Sequence, residues 1–468
     1  CISGCRACIK DLSGIILRRE NTMAEKTITM QLAEYSVQNH WDSFTEKDIR
    51  MAKLAFIDWV AAAETGVTEK SVKLLMNMAE EENVSGDCVI IGQGKTTSAV
   101  QAALLNGMES HAIDFDDIHD YLSLHLCSPV LPAALAAAEY NNADGKALIN
   151  GAVVGMQIMV AISAAIMPEH YNIGRWHATG TIGVFGAAAA AGAILGLTPE
   201  QMCNAFGVCA GLCSGIQLNI GSMAKPMAAG MAAKNGLMAA ILASRGFTGR
   251  ADIFDTDFLD NICTRKADTE KMLERLYGSY GIHELRFKRY PCGAPTHSGI
   301  INCKKILEEH PHAIEDIEKI VFEPYPRAIR LVGNMYPQTG LQGKFSISFT
   351  AAAQIVFGQV TIETFTDENV KNPQVQYLLK RMELVGSDEF TPSRGGRATI
   401  YFKDGTHATN TTYLLGHEID IDEAFGDVTG KYKEIMIPRV GEERADAIYA
   451  SLMELDMVPD VRKMTGKF

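Results

Sequence analysis

From Thr27 to about Gly281 the chain repeats apolar positions at helical spacing, segment after segment. Over residues 46–64, Ile49, Ala52, Phe56, Ile57 and Val60 fall near three- and four-residue intervals, and Lys53 can lay its stem along the same face. Thr198-Pro199-Glu200 predicts a helix start: a hydroxyl cap, proline at the first helical position, then an acid in the first turn. Gly246 and Gly249 predict the end of another helix. Strand signals are nearly absent from this stretch, apart from Cys88-Val89-Ile90-Ile91.

The texture changes near Phe287. Residues 317–322 predict a short strand ahead of Pro324 and Pro326. Residues 398–402 and 407–412, joined around Lys403-Asp404-Gly405-Thr406, predict a β-hairpin. Helical patterns lie at 297–309, ahead of the first strand, and at 346–358, between it and the hairpin, and 441–454 is helical again. The predicted fold is mainly α, with a large all-helical domain (23–286 and 413–468) and a smaller α+β lid domain (287–412). Met23 predicts the native start, with residues 1–22 as an upstream extension.

At 468 residues, 47% hydrophobic and 21% charged, the chain has enough apolar material for two packed domains. Its net charge of −13 points away from nucleic acid or an anionic membrane as the main partner. An enzyme for anions built on so acidic a chain must gather its basic groups in one place. Residues 147–166 and 178–197 are long enough to cross a bilayer. They are rich in Ala and Gly, however, and interrupted by Gln157, Thr179 and Thr181, which predicts close-packed helices inside a soluble domain. The eleven cysteines are odd in number and lack recurring CxxC pairs, as expected of reduced thiols in a cytoplasmic protein. Cys1, Cys5 and Cys8 have a spacing that can hold an iron–sulfur cluster, but no strand or core supports it. Gly92-Gln93-Gly94-Lys95-Thr96 ends like a phosphate loop. Val89 stands where that loop needs its first glycine, so a turn is expected instead.

Four clusters carry chemistry. The densest is His111, Asp114, Asp116, Asp117 and His119, followed by His125. Carboxylates beside imidazoles suit general acid–base catalysis; a solvated acidic loop and a divalent-metal site are the competing readings. The second is Gly174-Arg175-Trp176-His177, opening a helix whose N-terminus keeps an imidazole neutral and attracts anions. In the third, Lys225-Pro226 sits among small apolar residues. A buried lysine there requires Asp114, Asp116 or a substrate carboxylate as partner. The fourth, Lys288-Arg289-Tyr290-Pro291-Cys292-Gly293-Ala294-Pro295-Thr296-His297, joins two cations to a histidine at the domain junction. Cys292 is a minor candidate nucleophile.

Read in order, AIDFDD, GRWHATGTIGVFGAAAAAG, SMAKPMAAGMAAKNGL, KRYPCGAPTH and GKFSISF resemble the MmgE/PrpD family from about residue 27 to the end. That family contains 2-methylcitrate dehydratases, cis-aconitate decarboxylases and iminodisuccinate epimerases. The resemblance implies a helical domain with an α+β lid, a homodimer, and a small polycarboxylate substrate, with no metal or other cofactor. Asp114 and His125 match the first motif, His177 the WH position, Lys225 the KP lysine, and Lys288 and His297 the lid motif. Arg289 and Lys344 complete the expected substrate-binding set. In this reading Lys225 and Lys288 hold carboxylates, with His297 as a further donor, His125 or His177 moves the proton, Asp114 orients or charges a histidine, and lid closure excludes water. Ile118, Gly293 and Phe349 replace a threonine, a histidine and a tyrosine of decarboxylase-like members, and Pro129 is displaced from its usual place. The DFND-type segment of methylcitrate dehydratases is missing. The expected reaction is therefore a lyase step on a di- or tricarboxylate. Epimerisation of a dicarboxylate and simple carboxylate binding are the alternatives.

Overall fold

The structure, a computed structural model, describes residues 26–119, 122, 124–391, 394–414 and 420–468. Cys1, Cys5, Cys8 and Met23 lie outside the described residues. The helical body is built from α1 (Glu46–Gly66), α2 (Ala99–His111), α3 (Cys127–Tyr140), α4 (Gly145–Ile166), α5 (Gly183–Leu195) and α6 (Ala224–Ser244). Local chemistry sets several starts. Thr45 and Asp48 form a reciprocal capping box on α1, and Thr198 with Gln201 does the same for the helix Pro199–Leu212.

Small residues decide how the body packs. A Cβ added to Gly155 of α4 would lie 2.6 Å from the Gly186 carbonyl of α5, so these two helices cross backbone to backbone. The windows of membrane length, Gly145–Ile166 and Ala178–Leu195, are 100% and 89% buried inside this body. Helices α2 and α6 meet the same way, since a Cβ on Gly230 would sit 2.5 Å from the Leu104 carbonyl. Gly230→Ala is expected to destabilise the protein by about 1–3 kcal/mol through overpacking. On an open helix surface the same change would add about 1 kcal/mol, so urea unfolding reads the sign directly.

Strands β1 (Cys88–Ile90) and β2 (Lys95–Thr97) form a hairpin, turned by Gly92 and Gly94 at φ of 66° and 61°. The GQGKT segment is thus a turn. Strand β3 (Ile118–His119) pairs antiparallel with β4 (Leu285–Arg286). The second part of the fold carries β5 (Ile317–Pro324), β6 (Met382–Leu384), β7 (Gly396–Phe402) and β8 (His407–Thr412) in the order β6-β5-β7-β8. Only β5–β6 is parallel; β5–β7 and the β7–β8 hairpin are antiparallel. Helix α7 (His297–Glu309) packs against β7, β8 and α8 (Ile347–Phe357). The main apolar core draws on Leu32 to Leu285 and again on Val428 to Phe468, while a separate core runs from Cys292 to Ala408. The chain returns to the body through α9 (Ile421–Val440), which lies on α1.

Candidate active site

The β3–β4 pair gives the site its geometry. It ties the loop leaving α2 to the segment entering the second core, matching Ile118 with Arg286 and His119 with Leu285. Lys288, two residues past β4, is thereby carried to Asp114, three residues past α2. Asp114 itself has φ of 59°, a left-handed backbone that is unfavourable for a residue with a Cβ. Its carboxylate bonds Lys225 through Oδ1 and lies 3.0 Å from Lys288 Nζ through Oδ2. Lys225 stands in the first turn of α6, and all three side chains are buried.

Burial opposes the charge on Asp114, but Lys225 and Lys288 outweigh it and hold the carboxyl well below its usual range. The lysines respond differently. Burial pushes Lys225 down, whereas for Lys288 the burial penalty is outweighed by Asp114 and Asp116. Two ammonium groups therefore share one carboxylate.

The carboxylate hydrogen-bonded to the imidazoles is Asp116, so the orienting role expected of Asp114 falls to its neighbour, while Asp114 bonds the lysines. Asp116 Oδ2 accepts from His111 Nδ1 at 2.7 Å and lies 3.2 Å from His125 Nδ1. The same His125 nitrogen is 2.5 Å from the Asp117 carbonyl. That fixes the proton on Nδ1 and leaves Nε2 as the nitrogen available for chemistry. Asp117 receives the N–H groups of Leu126 and Cys127 at the start of α3. Burial raises its carboxyl to about 6.

His177 precedes the short helix Ala178–Thr181, and its ring lies parallel to that of His111 at 5.9 Å; His111 meets His125 edge-on at 4.5 Å. Burial drives His177 well below its ordinary value, with Lys225 adding to the effect. It takes His111 down to about 4 and His297 to about 3. All three are neutral imidazoles at neutral pH. The first cluster is thus no solvated loop, since His111, Asp114, Asp116, Asp117, His119 and His125 are all buried.

These groups meet at a cavity of about 390 Å³ between the two cores. Asp114, His125, His177, Lys225, Lys288, Arg289 and His297 all line it, so seven of the eight residues expected from sequence converge. Lys344 does not. Its ammonium donates to the Ile113 carbonyl at 3.3 Å and lies over the Phe365 ring, so its expected substrate contact is replaced by a backbone contact. Cys292 is also committed elsewhere, with its sulfur 3.0 Å from Thr296 Oγ1 and its thiol pushed up by burial to about 12.

Sequence reasoning did not single out Arg286, Arg394, Tyr171 or Tyr325, which also line the cavity. Arg394 sits in a Ser-Arg-Gly-Gly-Arg stretch with no periodic signal. Among the described lining residues, five lysine and arginine side chains face two carboxylates, Asp114 and Asp427. His119, from the first cluster, reaches the wall but pairs with Glu284 at 2.9 Å.

His111, Asp114 and His125 offer three possible metal-ligand atoms within 4.8 Å of one another. Their surroundings do not suit a divalent cation. Asp114 already serves two ammonium groups, and those positive charges would repel a metal at the same oxygens.

A helical body joined to a smaller α+β part over a cation-rich, histidine-walled cavity defines the class, and the chain belongs to the MmgE/PrpD family. Residues 30–268 match the MmgE/PrpD N-terminal domain and residues 290–455 the MmgE/PrpD C-terminal domain. Among individual proteins it is similar to the cis-aconitate decarboxylase of Aspergillus terreus, 25% identical over 94% of this chain and 95% of the relative. It is also similar to the cis-aconitate decarboxylase of Homo sapiens, 25% identical over 81% and 83%, respectively. The mitochondrial 2-methylcitrate dehydratase of Yarrowia lipolytica is 22% identical over 91% and 86%.

Proposed function

We propose that this protein is a cofactor-independent lyase of the dehydratase or decarboxylase type, acting next to a carboxylate of a small polycarboxylate. The observation that carries this reading is the lysine pair at the cavity wall, where Lys225 and Lys288 share the carboxylate of Asp114. The names of the relatives support a tricarboxylate as substrate.

Removing a proton or CO2 beside a carboxylate builds charge on the carboxylate oxygens. Buried ammonium groups fixed at the cavity wall stabilise that charge by several kcal/mol, on the order of 3 per well-placed donor. His125 Nε2 takes the proton, and Asp116 behind the ring offsets the imidazolium that results. In dehydration His125 passes the proton it took from carbon to the departing β-hydroxyl, which leaves as water. In decarboxylation CO2 leaves and the carbanion takes its proton from a His125 that starts the cycle protonated and is reprotonated by solvent. His177 and His297, neutral in this site, donate hydrogen bonds to substrate oxygens. Ile118 and Gly293 line the wall and remove polar side chains that decarboxylase-like members carry there, whereas Phe349 is buried away from it beside Phe365. The preferred substrate is therefore a tricarboxylate other than cis-aconitate.

Proton NMR in heavy water with a panel of tricarboxylates tests this reading, since it reports alkene formation, CO2 loss and proton exchange together. At least one substrate is expected to turn over, at the same rate after EDTA treatment. No turnover across the panel, or activity abolished by EDTA and restored by a metal, would contradict it.

A further inference from the structure

Three lysines, drawn from distant parts of the chain, hold three consecutive carbonyls of the loop that presents Asp114. Lys344 Nζ donates to the Ile113 carbonyl at 3.3 Å, Lys288 Nζ to that of Asp114 at 3.0 Å, and Lys431 Nζ to that of Phe115 at 2.5 Å. Lys344 precedes α8, Lys288 follows β4 at the junction, and Lys431 lies on the returning helix α9. Neither Lys344 nor Lys431 lines the cavity.

Lys431 is held from three sides. Besides the Phe115 carbonyl, it pairs with Asp58 of α1 at 2.7 Å and lies 3.9 Å from the centre of the Phe115 ring. Asp58 is 1% exposed, and burial raises its carboxyl against the pull of Lys431. An ion pair this deep contributes little net stability compared with apolar side chains of similar size, because both charges lose their water. What it supplies is a fixed direction. The loop needs one, because Asp114 has a left-handed backbone that a residue with a Cβ leaves readily.

We propose that Lys431 and Lys344 are positioning residues that, with Lys288, pin the Ile113–Phe115 backbone so that the Asp114 carboxylate stays between Lys225 and Lys288. Lys431 of the returning helix α9 thereby sets the geometry of a site whose cavity it does not line. This inference rests on the proposed lyase reaction for its kinetic consequence but not for its structural one.

The double variant Lys431→Met, Asp58→Asn tests it, because it removes the ion pair without leaving either charge buried alone. Amide hydrogen exchange of residues 112–118 is read without substrate and is expected to accelerate at least 10-fold while exchange in α4 and α5 stays unchanged. With a substrate in hand, kcat is expected to fall about 10- to 100-fold with KM within about threefold, and Lys431→Arg alone to retain most of the activity. Unchanged exchange at 112–118, or wild-type kcat in the double variant, overturns the proposal. Faster local exchange in a protein that turns over no polycarboxylate supports the pinning and refutes the reaction instead.

Discussion

Lys225→Met is expected to lower kcat/KM by about 10²- to 10³-fold while leaving the protein folded. The size follows from removing one fixed cation from a site where charge develops on substrate oxygens. The survival of the fold follows from the shared carboxylate. Breaking a buried ion pair usually strands a charge at a cost of about 3–5 kcal/mol. Here Asp114 keeps Lys288 at 3.0 Å when Lys225 is removed, so its charge remains compensated. Methionine fills the space of the lysine stem beside Phe345, whose ring centre lies 5.3 Å from the ammonium. Circular dichroism and a thermal melt close to those of the wild type, with activity lost, constitute the expected result. Full activity in the variant would remove the lysine from the chemistry.

Asp116→Asn should act on a different parameter. Asp116 accepts from both His111 and His125 and does not line the cavity. An asparagine amide can turn a donor toward one ring, which disfavours the Nδ1–H form that leaves Nε2 free to act as base. It also removes the charge that offsets an imidazolium. We expect kcat to fall about 10²-fold or more, with KM changed only a few-fold because Lys225 and Lys288 stay in place. A loss confined to KM would mean that Asp116 serves binding rather than proton transfer.

The helices and the β7–β8 hairpin were legible because each depends on local spacing. Thr198 and the apolar faces announce themselves within one or two turns. The small-residue windows were legible too, since Gly155 and Gly186 allow the backbone contact that buries them. The strands that arrange the site were not. β3 and β4 have two residues each, too few for any period, yet they bring Lys288 to Asp114. The parallel strand β6, with three residues, left no signal either.

Site residues followed the same division. The first cluster contained the right groups, but the left-handed turn at Asp114 decides which carboxylate faces the lysines and which the histidines, and no spacing rule reports it. Lys344 looked like a substrate ligand because its partner, the Ile113 carbonyl, lies 231 residues away. Lys431 carried a faint signal. It falls three residues after Val428 and four before Ile435, both buried, so helical spacing puts it on the inner face of α9.

The central claim is that the lysine pair forms a carboxylate socket. Calorimetry with propane-1,2,3-tricarboxylate, which lacks a leaving hydroxyl, measures that socket apart from turnover. The wild type is expected to bind it with an affinity that falls as salt rises, and Lys225→Met and Lys288→Met are each expected to weaken binding at least 10-fold. Equal affinity in all three proteins would contradict the account.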